Sequence, residues 1–211
     1  MTTMKKILFT LLLISSILIA KAQDGIQTIF NNSGGSGGYG AITNKFTSIN
    51  GEFANMVGVY GGWFVNHKLL IGAGAAATTN YIEVPLEYST MPGLRMSYEF
   101  GQVGFVTEYA IASNRAVHVN LHLMTGAGFT LQYHRPQWGN WEYYDYYDYD
   151  HDENWFFVVE PGVQVELNLL RWMRFSPGIS YRFANGSEAE GLSDSDLSGM
   201  SVNLTLKFGK F

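Results

Sequence analysis

The feature of this chain that most constrains its fold is an alternation of apolar and polar side chains with a period of two residues. Between Val117 and Tyr133 every second residue is apolar apart from Thr125, and the residues between them are polar or glycine apart from Met124. The same alternation recurs in residues 155–169, 173–183 and 200–208. Successive side chains of a β-strand point to opposite faces of the sheet. The pattern therefore predicts four long strands, each with one apolar and one polar face.

Four earlier segments predict four further strands, although their alternation is less regular. These segments are residues 39–49, 52–65, 69–84 and 94–111. In the last of them Met96 and Phe100 share one parity, whereas Val103 and Phe105 share the other. A one-residue slip at Gly101-Gln102 would place all four side chains on one face, so a β-bulge is predicted there. Because no helical pattern interrupts the eight strands, we expect an antiparallel meander.

The length of the strands predicts what their apolar face contacts. From Val117 to Phe129 a strand extends ~40 Å at ~3.3 Å per residue. At a tilt of ~40° this rises ~30 Å, which is enough to cross the ~25 Å apolar band of an outer membrane. Backbone groups in hydrocarbon must pair within the protein, so the sheet has to close. The predicted fold is all-β: an eight-stranded antiparallel up-and-down transmembrane β-barrel with a lumen filled by side chains.

The composition excludes several other classes of protein. The 14 Phe, 13 Tyr and 5 Trp among 211 residues are too many aromatic residues for a disordered chain. The absence of Cys excludes a disulfide scaffold and a thiolate metal site. With 13 Lys and Arg against 18 Asp and Glu, the chain offers no basic surface for nucleic acid. No cofactor is predicted.

The connections between the predicted strands alternate in length from the second onward. The short connections are residues 66–68, 113–115 and 170–172, and the long ones are residues 85–93, 134–154 and 184–198. Outer-membrane barrels have short periplasmic turns and longer external loops. The alternation therefore predicts that both termini are periplasmic. The first connection, residues 49–51, is a short one on the side of the long loops.

The N-terminal residues predict export rather than a part of the barrel. Lys5 and Lys6 precede an apolar run over residues 7–20, and Ala20-Lys21-Ala22 is a small-x-small cleavage site. We expect residues 1–22 to be a signal peptide that is cleaved between Ala22 and Gln23. The alternative, a membrane anchor, needs about 20 apolar residues. Residues 23–38 have the composition of a flexible linker, which leaves residues 39–211 as the barrel domain.

The chain resembles the small eight-stranded bacterial outer-membrane β-barrel proteins. The resemblance rests on the signal peptide, on residues 40–47 leading to Gly61-Gly62-Trp63, and on a last strand that ends in Phe211. It implies an integral location in the outer membrane, outer-membrane lipid as a partner, and recognition of the C-terminal strand by the barrel-assembly machinery through an aromatic residue. Here Phe208 is in register with the lipid-facing set and Phe211 is not. Many members of this family have no assigned activity.

Charged side chains on the polar face predict a network inside the lumen. The predicted inward set contains Glu99, Glu108, Glu160, Glu166, Arg174, Arg182, His118 and His122. If residues 169–173 form a turn, Glu160 lies near Ser180 or Arg182, and Glu166 lies near Arg174 or Ser176. Inward small residues on the other wall leave room for these long side chains, namely Gly58, Gly62, Gly72 and Gly74. We expect the network to fill the barrel; the alternative is a proton or ion path along it.

The longest predicted loop is acidic and aromatic. Asp148, Asp150 and Asp152 have the D-x-D-x-D spacing that opens a calcium loop, but Glu153 stands where the turn glycine is required. An EF-hand is thereby excluded, whereas a looser cation site at the three aspartates and a purely solvated acidic loop both remain open. The Tyr and Trp residues of this loop could also contact a surface protein or a glycan.

Three functional hypotheses follow from these observations. The leading one is a non-enzymatic outer-membrane barrel whose acidic and aromatic external loops serve surface interaction or envelope integrity. The second is a lipid-modifying enzyme, for which His134 and His151 and the serines of residues 184–198 lie on the loop side, although no rigid nucleophile–base pair can be assigned. The third is a periplasmic lipid-binding β-barrel.

Overall fold

Eight antiparallel strands pair in chain order and close into a barrel in the computed structural model, which describes residues 36–91, 93–134 and 153–211. The strands are β1 (Gly37–Ile49), β2 (Glu52–Val65), β3 (Leu69–Thr78), β4 (Met96–Ile111), β5 (Val117–His134), β6 (Asn154–Leu170), β7 (Met173–Asn185) and β8 (Gly199–Lys210). The last strand pairs with the first, so the sheet leaves no open edge. The predicted eight-stranded up-and-down barrel is confirmed.

The connections divide the barrel into two ends. The turn end carries the short connections β2–β3, β4–β5 and β6–β7, and it is also where β1 begins and β8 finishes. The loop end carries the remaining connections. The shortest of these is Asn50-Gly51, whose φ angles of 54° and 75° are those of a type I′ turn.

Two connections at the loop end differ from their predicted form. β3 ends at Thr78 rather than at residue 84, because the chain leaves the sheet and folds over the barrel mouth, where Ile82 and Val84 are buried. That connection contains a 3-10 helix, Leu86–Tyr88. The β7–β8 connection contains a one-turn helix, α1 (Asp194–Leu197). In the part of the chain that the structure describes, no helix is long and apolar enough to cross a membrane.

Several predicted features lie outside the described residues. They are the signal peptide (residues 1–22), its cleavage site between Ala22 and Gln23, most of the linker (residues 23–38), and residues 135–152 with Asp148, Asp150 and Asp152. These features stay predictions.

The outer face of the barrel is apolar and exposed. Phe105, Leu121 and Leu204 are 72%, 44% and 41% exposed, and they lie on three different strands. Exposed aromatic residues lie toward both ends of the barrel: Trp63, Tyr109 and Trp172 near the turn end, and Phe53, Trp155 and Phe183 near the loop end. An apolar band between two aromatic girdles is the surface of a membrane barrel.

Strand β4 corrects one prediction. Its pairing with β3 and β5 runs without interruption through Gly101 and Gln102, so the predicted β-bulge is wrong. The even-numbered residues of β4 face inward along its whole length, including Met96 and Phe100, which are both buried. These apolar residues point into the lumen because the loop end of the lumen is itself apolar.

The loop end of the lumen is closed by a cluster that we call the loop-end plug. Its larger members are Ile49, Met56, Ile82, Val84, Met96, Tyr98, Phe100, Phe156, Val158, Leu192 and Leu197. Ile82 and Val84 come from the β3–β4 connection, whereas Leu192 and Leu197 come from the β7–β8 connection. Two loops therefore supply the apolar groups that cover the strand residues at this mouth.

Candidate functional site in the barrel lumen

Buried polar side chains fill the half of the lumen that is nearer the turn end. They lie on the inward parity of their strands, which the alternation fixes. This turn-half cluster comprises Tyr39, Tyr60, Glu108, His118, Asn120, His122, Glu166, Arg174, Ser176 and Lys207. Taking a charge out of water costs several kcal/mol unless it is paired and hydrogen-bonded. The partners of each charge therefore decide whether the cluster stabilises the barrel.

Glu108 is the first of two acidic centres in this cluster. Its Oε1 accepts a hydrogen bond from the Tyr60 hydroxyl at 2.8 Å and lies 2.9 Å from His122 Nδ1. Its Oε2 accepts from Lys207 Nζ at 2.7 Å, from Asn120 Nδ2 at 3.1 Å and from the Tyr39 hydroxyl. Five polar groups from four other strands contact the Glu108 carboxylate. These contacts replace the water molecules that would otherwise stabilise its charge.

Glu166 is the second acidic centre, and it is surrounded in the same way. Its Oε1 accepts from Arg174 at 2.5 Å and lies 3.0 Å from His118 Nε2. Its Oε2 accepts from Lys207 Nζ at 2.6 Å, from Ser176 Oγ at 3.1 Å and from Asn120 Nδ2 at 3.2 Å. Both alternatives predicted for Glu166, Arg174 and Ser176, are in contact with it.

Lys207 links the two acidic centres. Its ammonium group bonds to Glu108 and Glu166 at once, and its side chain is completely buried. Asn120 makes the same bridge with its amide nitrogen. The two carboxylates are thus held in one network rather than as two separate pairs.

A second charged group lies closer to the loop end. Lys45 Nζ bonds to both carboxylate oxygens of Glu160, at 2.8 and 2.7 Å. Gln102 Nε2 and Ser180 Oγ also donate to Glu160, at 2.7 and 2.6 Å. Of the two partners predicted for Glu160, Ser180 is its hydrogen-bond donor, whereas Arg182 is engaged elsewhere.

Arg182 is buried inside the loop-end plug. Its Nε donates to the backbone carbonyl of Leu197 at 2.6 Å, and one of its terminal nitrogens donates to the carbonyl of Ser48 at 3.2 Å. Its guanidinium carbon lies 4.5 Å from the centre of the Phe100 ring. Neutral oxygens and an aromatic face therefore hold this cation, and they tie the α1 helix and the end of β1 to β7.

Small residues on the opposite wall make room for these long side chains. Gly58, Gly62, Gly72 and Gly74 lie on the inward parity of β2 and β3, as predicted. At Gly62 an added Cβ would lie 2.2 Å from the carbonyl oxygen of Ile71, so no larger residue fits there. A cavity of about 20 Å³ lies between Lys45, His122 and Gln164, and a space of this size holds about one water molecule.

The structure corrects and extends the predicted network. Seven of the eight predicted residues are buried in the lumen, but Glu99 lies on the outward parity of β4 and is only partly buried, because that strand keeps its register. Lys45 and Lys207, the cations at the centre of the two groups, were not predicted. Both lie on the inward parity of their strands. Lys45 on β1 reaches Glu160 on β6 only because β8 closes onto β1, whereas Lys207 on β8 reaches Glu166 across β7 and Glu108 across the lumen.

The comparisons with known proteins concern the fold alone. No family model matches this sequence, and neither does the sequence of any curated protein. The crystal structure of Neisserial surface protein A (NspA) superimposes with a TM-score of 0.58 at 8% identity, over 83% of this chain and 97% of NspA. This is the fold of the small outer-membrane β-barrels.

Two other outer-membrane structures match less closely. The N-terminal β-barrel domain of Pseudomonas aeruginosa OprF gives a TM-score of 0.48 at 6% identity, over 81% of this chain and 96% of that domain. The attachment invasion locus protein Ail of Yersinia pestis gives 0.47 at 11% identity, over 84% of this chain and 99% of Ail.

Charged side chains and their hydrogen-bond partners fill the rest of the lumen, outside the loop-end plug. The buried charged residues are three acids (Glu108, Glu160 and Glu166) and four bases (Lys45, Arg174, Arg182 and Lys207), with two histidines against the acids. Within residues 36–91, 93–134 and 153–211, no group of three or more His, Cys, Asp or Glu side chains is placed to hold a metal ion. Each acid accepts at least four hydrogen bonds, so the network holds the strands together at their inner face.

Proposed function

We propose that this protein is an integral β-barrel of the bacterial outer membrane that has no enzymatic activity, keeps its lumen closed, and presents its longer loops at the cell surface. The observation that carries the proposal is the contrast between the two faces of the sheet. The outer face is an exposed apolar band, whereas the inner face combines a packed network of paired charges with the apolar loop-end plug. A barrel of this kind serves surface interaction or envelope integrity through its loops, because buried side chains fill its lumen.

The orientation of the barrel follows from its two ends. The short turns and both chain ends of the barrel lie at the turn end, and the long connections lie at the loop end. In outer-membrane barrels the short turns are periplasmic. We therefore assign the turn end to the periplasm and the loop end to the outside, which agrees with export by the predicted signal peptide.

Strand β8 presents one aromatic residue to the outside of the barrel. Phe208 stacks on Trp172, with ring centres 6.2 Å apart, on the lipid-facing side. Phe211 instead packs against Tyr39 at 5.0 Å, and the Arg174 guanidinium lies over its ring at 3.8 Å. The assembly machinery would have access to an outward aromatic residue, so we assign recognition of the C-terminal strand to Phe208 rather than to Phe211.

The loops are the part of the molecule that would meet a partner. The described loop-end residues carry many exposed acids, namely Glu52, Glu83, Glu87, Glu153, Glu188 and Glu190. Together with the acidic and aromatic residues 134–154, they favour a surface protein or a glycan as the ligand, and they disfavour nucleic acid.

The two alternative functions have less support. The serine hydroxyls of the β7–β8 connection are used within the loop: Ser193 bonds to Asp196, Ser198 bonds to the carbonyl of Asp194, and Ser187 bonds to Asn154. These contacts cap helix α1 and order the loop, which is a structural role. A carrier that holds lipid inside its barrel needs an open apolar interior, whereas charged groups fill the turn half of this lumen and the loop-end plug fills the other half.

Cell fractionation with a heat-modifiability gel tests the proposed location. The protein should sediment with the outer membrane and migrate faster when unheated, because a closed barrel resists unfolding in detergent. Recovery in the soluble periplasmic fraction would establish the lipid carrier instead. Lipid A from cells with and without the gene should have the same mass, and a mass difference would establish the lipid-modifying enzyme.

A further inference from the structure

Among the described residues, the exposed acids lie at the loop end, together with one exposed cation, Arg95. The exposed cations at the turn end are Lys68, Arg115, Arg171 and Lys210. Its three connections, residues 66–68, 112–116 and 171–172, contain no acidic residue. The loop end, in contrast, carries the exposed glutamates named above. The turn end is therefore a basic rim beneath an apolar wall, and it faces the periplasmic leaflet in the proposed orientation.

Two of these cations lie next to each other. The backbone N–H of Gly209 donates to the carbonyl of Trp172 at 3.0 Å, so the end of β8 runs beside the β6–β7 turn. This contact places the backbone of Lys210, which follows Gly209, opposite that of Arg171, which precedes Trp172. The rim therefore carries a local pair of cations at this position rather than evenly spaced single charges.

The surface beside this pair, on its membrane side, is apolar. Leu169, Leu170 and Trp172 are each about half exposed, at 50%, 48% and 54%. The ring of Trp172 stacks on Phe208 with an interplanar angle of 26°. A basic pair next to an apolar surface matches a molecule with an anionic head and a hydrocarbon tail.

An open groove of about 630 Å³ adjoins Arg171. Its lining includes Asn168, Leu169, Arg174 and Phe211. Arg174 is bound to Glu166 at 2.5 Å and is covered by Phe211, so its charge is already balanced. Of the two cations that line the groove, Arg171 is therefore the one that attracts an anion to it.

We propose that the β6–β7 turn and the end of β8 form a binding site for an anionic phospholipid of the periplasmic leaflet, with its phosphate at Arg171 and Lys210 and its acyl chains along Leu169 and the Trp172–Phe208 pair. This inference rests on the proposed membrane location. An arginine offers a planar set of donors that fits a phosphate in two-point contact, and basic residues at a membrane surface attract anionic lipids. The turns lack an acid that would favour the amine of a zwitterionic lipid.

Native mass spectrometry of the barrel in neutral detergent micelles tests the site. Titration with phosphatidylglycerol and with phosphatidylcholine gives a dissociation constant for each lipid. The barrel should bind phosphatidylglycerol about thirtyfold more tightly, as expected for two cations near an anionic headgroup. The Arg171→Gln, Lys210→Gln double variant should lose this preference. Both side chains are exposed, so the variant should fold like the parent, which the heat-modifiability gel verifies.

The matched control is the Lys68→Gln, Arg115→Gln double variant, which removes two exposed cations from other turns at the same end. It should keep the preference for phosphatidylglycerol. Equal loss in both double variants would show diffuse attraction to the basic rim and overturn the local site, as would equal binding of the two lipids by the parent protein.

Two further experiments distinguish the lipid site from a free-phosphate site and from a failure of the proposed membrane location. An excess of inorganic phosphate should leave phosphatidylglycerol bound, because the acyl chains contribute to binding; displacement by phosphate would make free phosphate the ligand and overturn the lipid site. Refolding into phosphatidylcholine vesicles tests the membrane location separately. A barrel that folds there without any lipid preference contradicts only this inference, whereas a barrel that does not insert contradicts the proposed function.

Discussion

The turn-half cluster and the loop-end plug fill the same lumen with different side chains. In the turn half, Glu108 and Glu166 share Lys207, and each carboxylate has five polar neighbours. In the loop-end plug, aliphatic and aromatic groups pack together, and Arg182 is held by backbone carbonyls and the face of Phe100. Both arrangements exclude solvent, but they respond differently to the loss of one group.

The difference lies in what a lost group leaves behind. A carboxylate that loses its cation stays buried and charged, because water cannot reach it without opening the barrel. A carbonyl that loses a donor is left unsatisfied but uncharged, which costs less. The turn half should therefore be the more sensitive region to single substitutions of charged residues.

The largest expected effect is that of Lys207→Met. This change leaves Glu108 and Glu166 facing each other without their shared cation. Breaking a buried charge pair by removing one partner costs about 3–5 kcal/mol. Urea unfolding of the barrel refolded in vesicles should show this loss in the free energy of unfolding. A loss of less than about 1 kcal/mol would mean that Arg174 and the two histidines are sufficient to stabilise both carboxylates. The interpretation of Lys207 as their shared cation would then be wrong.

The next effect compares the lumen with the outer face. Leu121 is 44% exposed on the outside of β5, and His122, the next residue, is buried against Glu108. An outward arginine in the apolar band costs up to about 2–4 kcal/mol, with the largest cost at mid-membrane, so Leu121→Arg should reduce the heat-modifiable fraction. His122→Asn should be tolerated far better, because four other groups still hold Glu108. Equal tolerance of both variants would contradict the assignment of the two faces.

A smaller effect is expected for Arg182→Met in the loop-end plug. The change leaves two carbonyls without their donor but no carboxylate without its cation. The expected loss is about 1–3 kcal/mol, the cost of an unsatisfied buried polar group. The same urea titration that measures Lys207→Met provides the comparison. If Arg182→Met proved the more destabilising of the two, the charge of Arg182 would be paired in a way that its carbonyl contacts do not account for.

The same contrast explains which parts of the fold could be predicted from the sequence. Alternation works in β5 and in the turn halves of β6 to β8, where the inside is polar and the outside apolar. Alternation fails at Met96, Tyr98 and Phe100. There the inner face contacts the apolar loop-end plug and the outer face contacts lipid, so both faces carry apolar residues. The predicted bulge in β4 and the inward placement of Glu99 both came from that ambiguity.

The composition of the network could be predicted only in part. The partners of Glu160 and Glu166 within the β6–β7 hairpin follow from a local register, so Ser180, Arg174 and Ser176 could be anticipated. Lys207 contacts Glu108 across the lumen, 99 positions away in sequence. That contact depends on the tilt and closure of the whole barrel, which no local pattern encodes.

The smallest effect on stability is expected for residues 143–153, which lie between β5 and β6. β5 ends at His134 and β6 begins at Asn154, so the sheet does not depend on the residues between them. Insertions between strands generally contribute little to stability, so we expect deletion of residues 143–153 to leave the urea midpoint unchanged. Leu197→Ala is the contrasting control, because Leu197 comes from a loop but is buried in the plug, and a cavity there costs about 2–5 kcal/mol.

The same segment provides a last test, of cation binding at Asp148, Asp150 and Asp152. Six carboxylates lie within residues 142–153, and oxygen ligands of this kind suit a hard cation such as calcium. Because Trp138, Trp141 and Trp155 flank the segment, a calcium titration followed by Trp fluorescence reports on it. For a loop that only carries charge, we expect no saturable change up to millimolar calcium, since the carboxylates then stay hydrated independently of one another. A saturable change that the Asp148→Asn, Asp150→Asn double variant abolishes would establish the cation site.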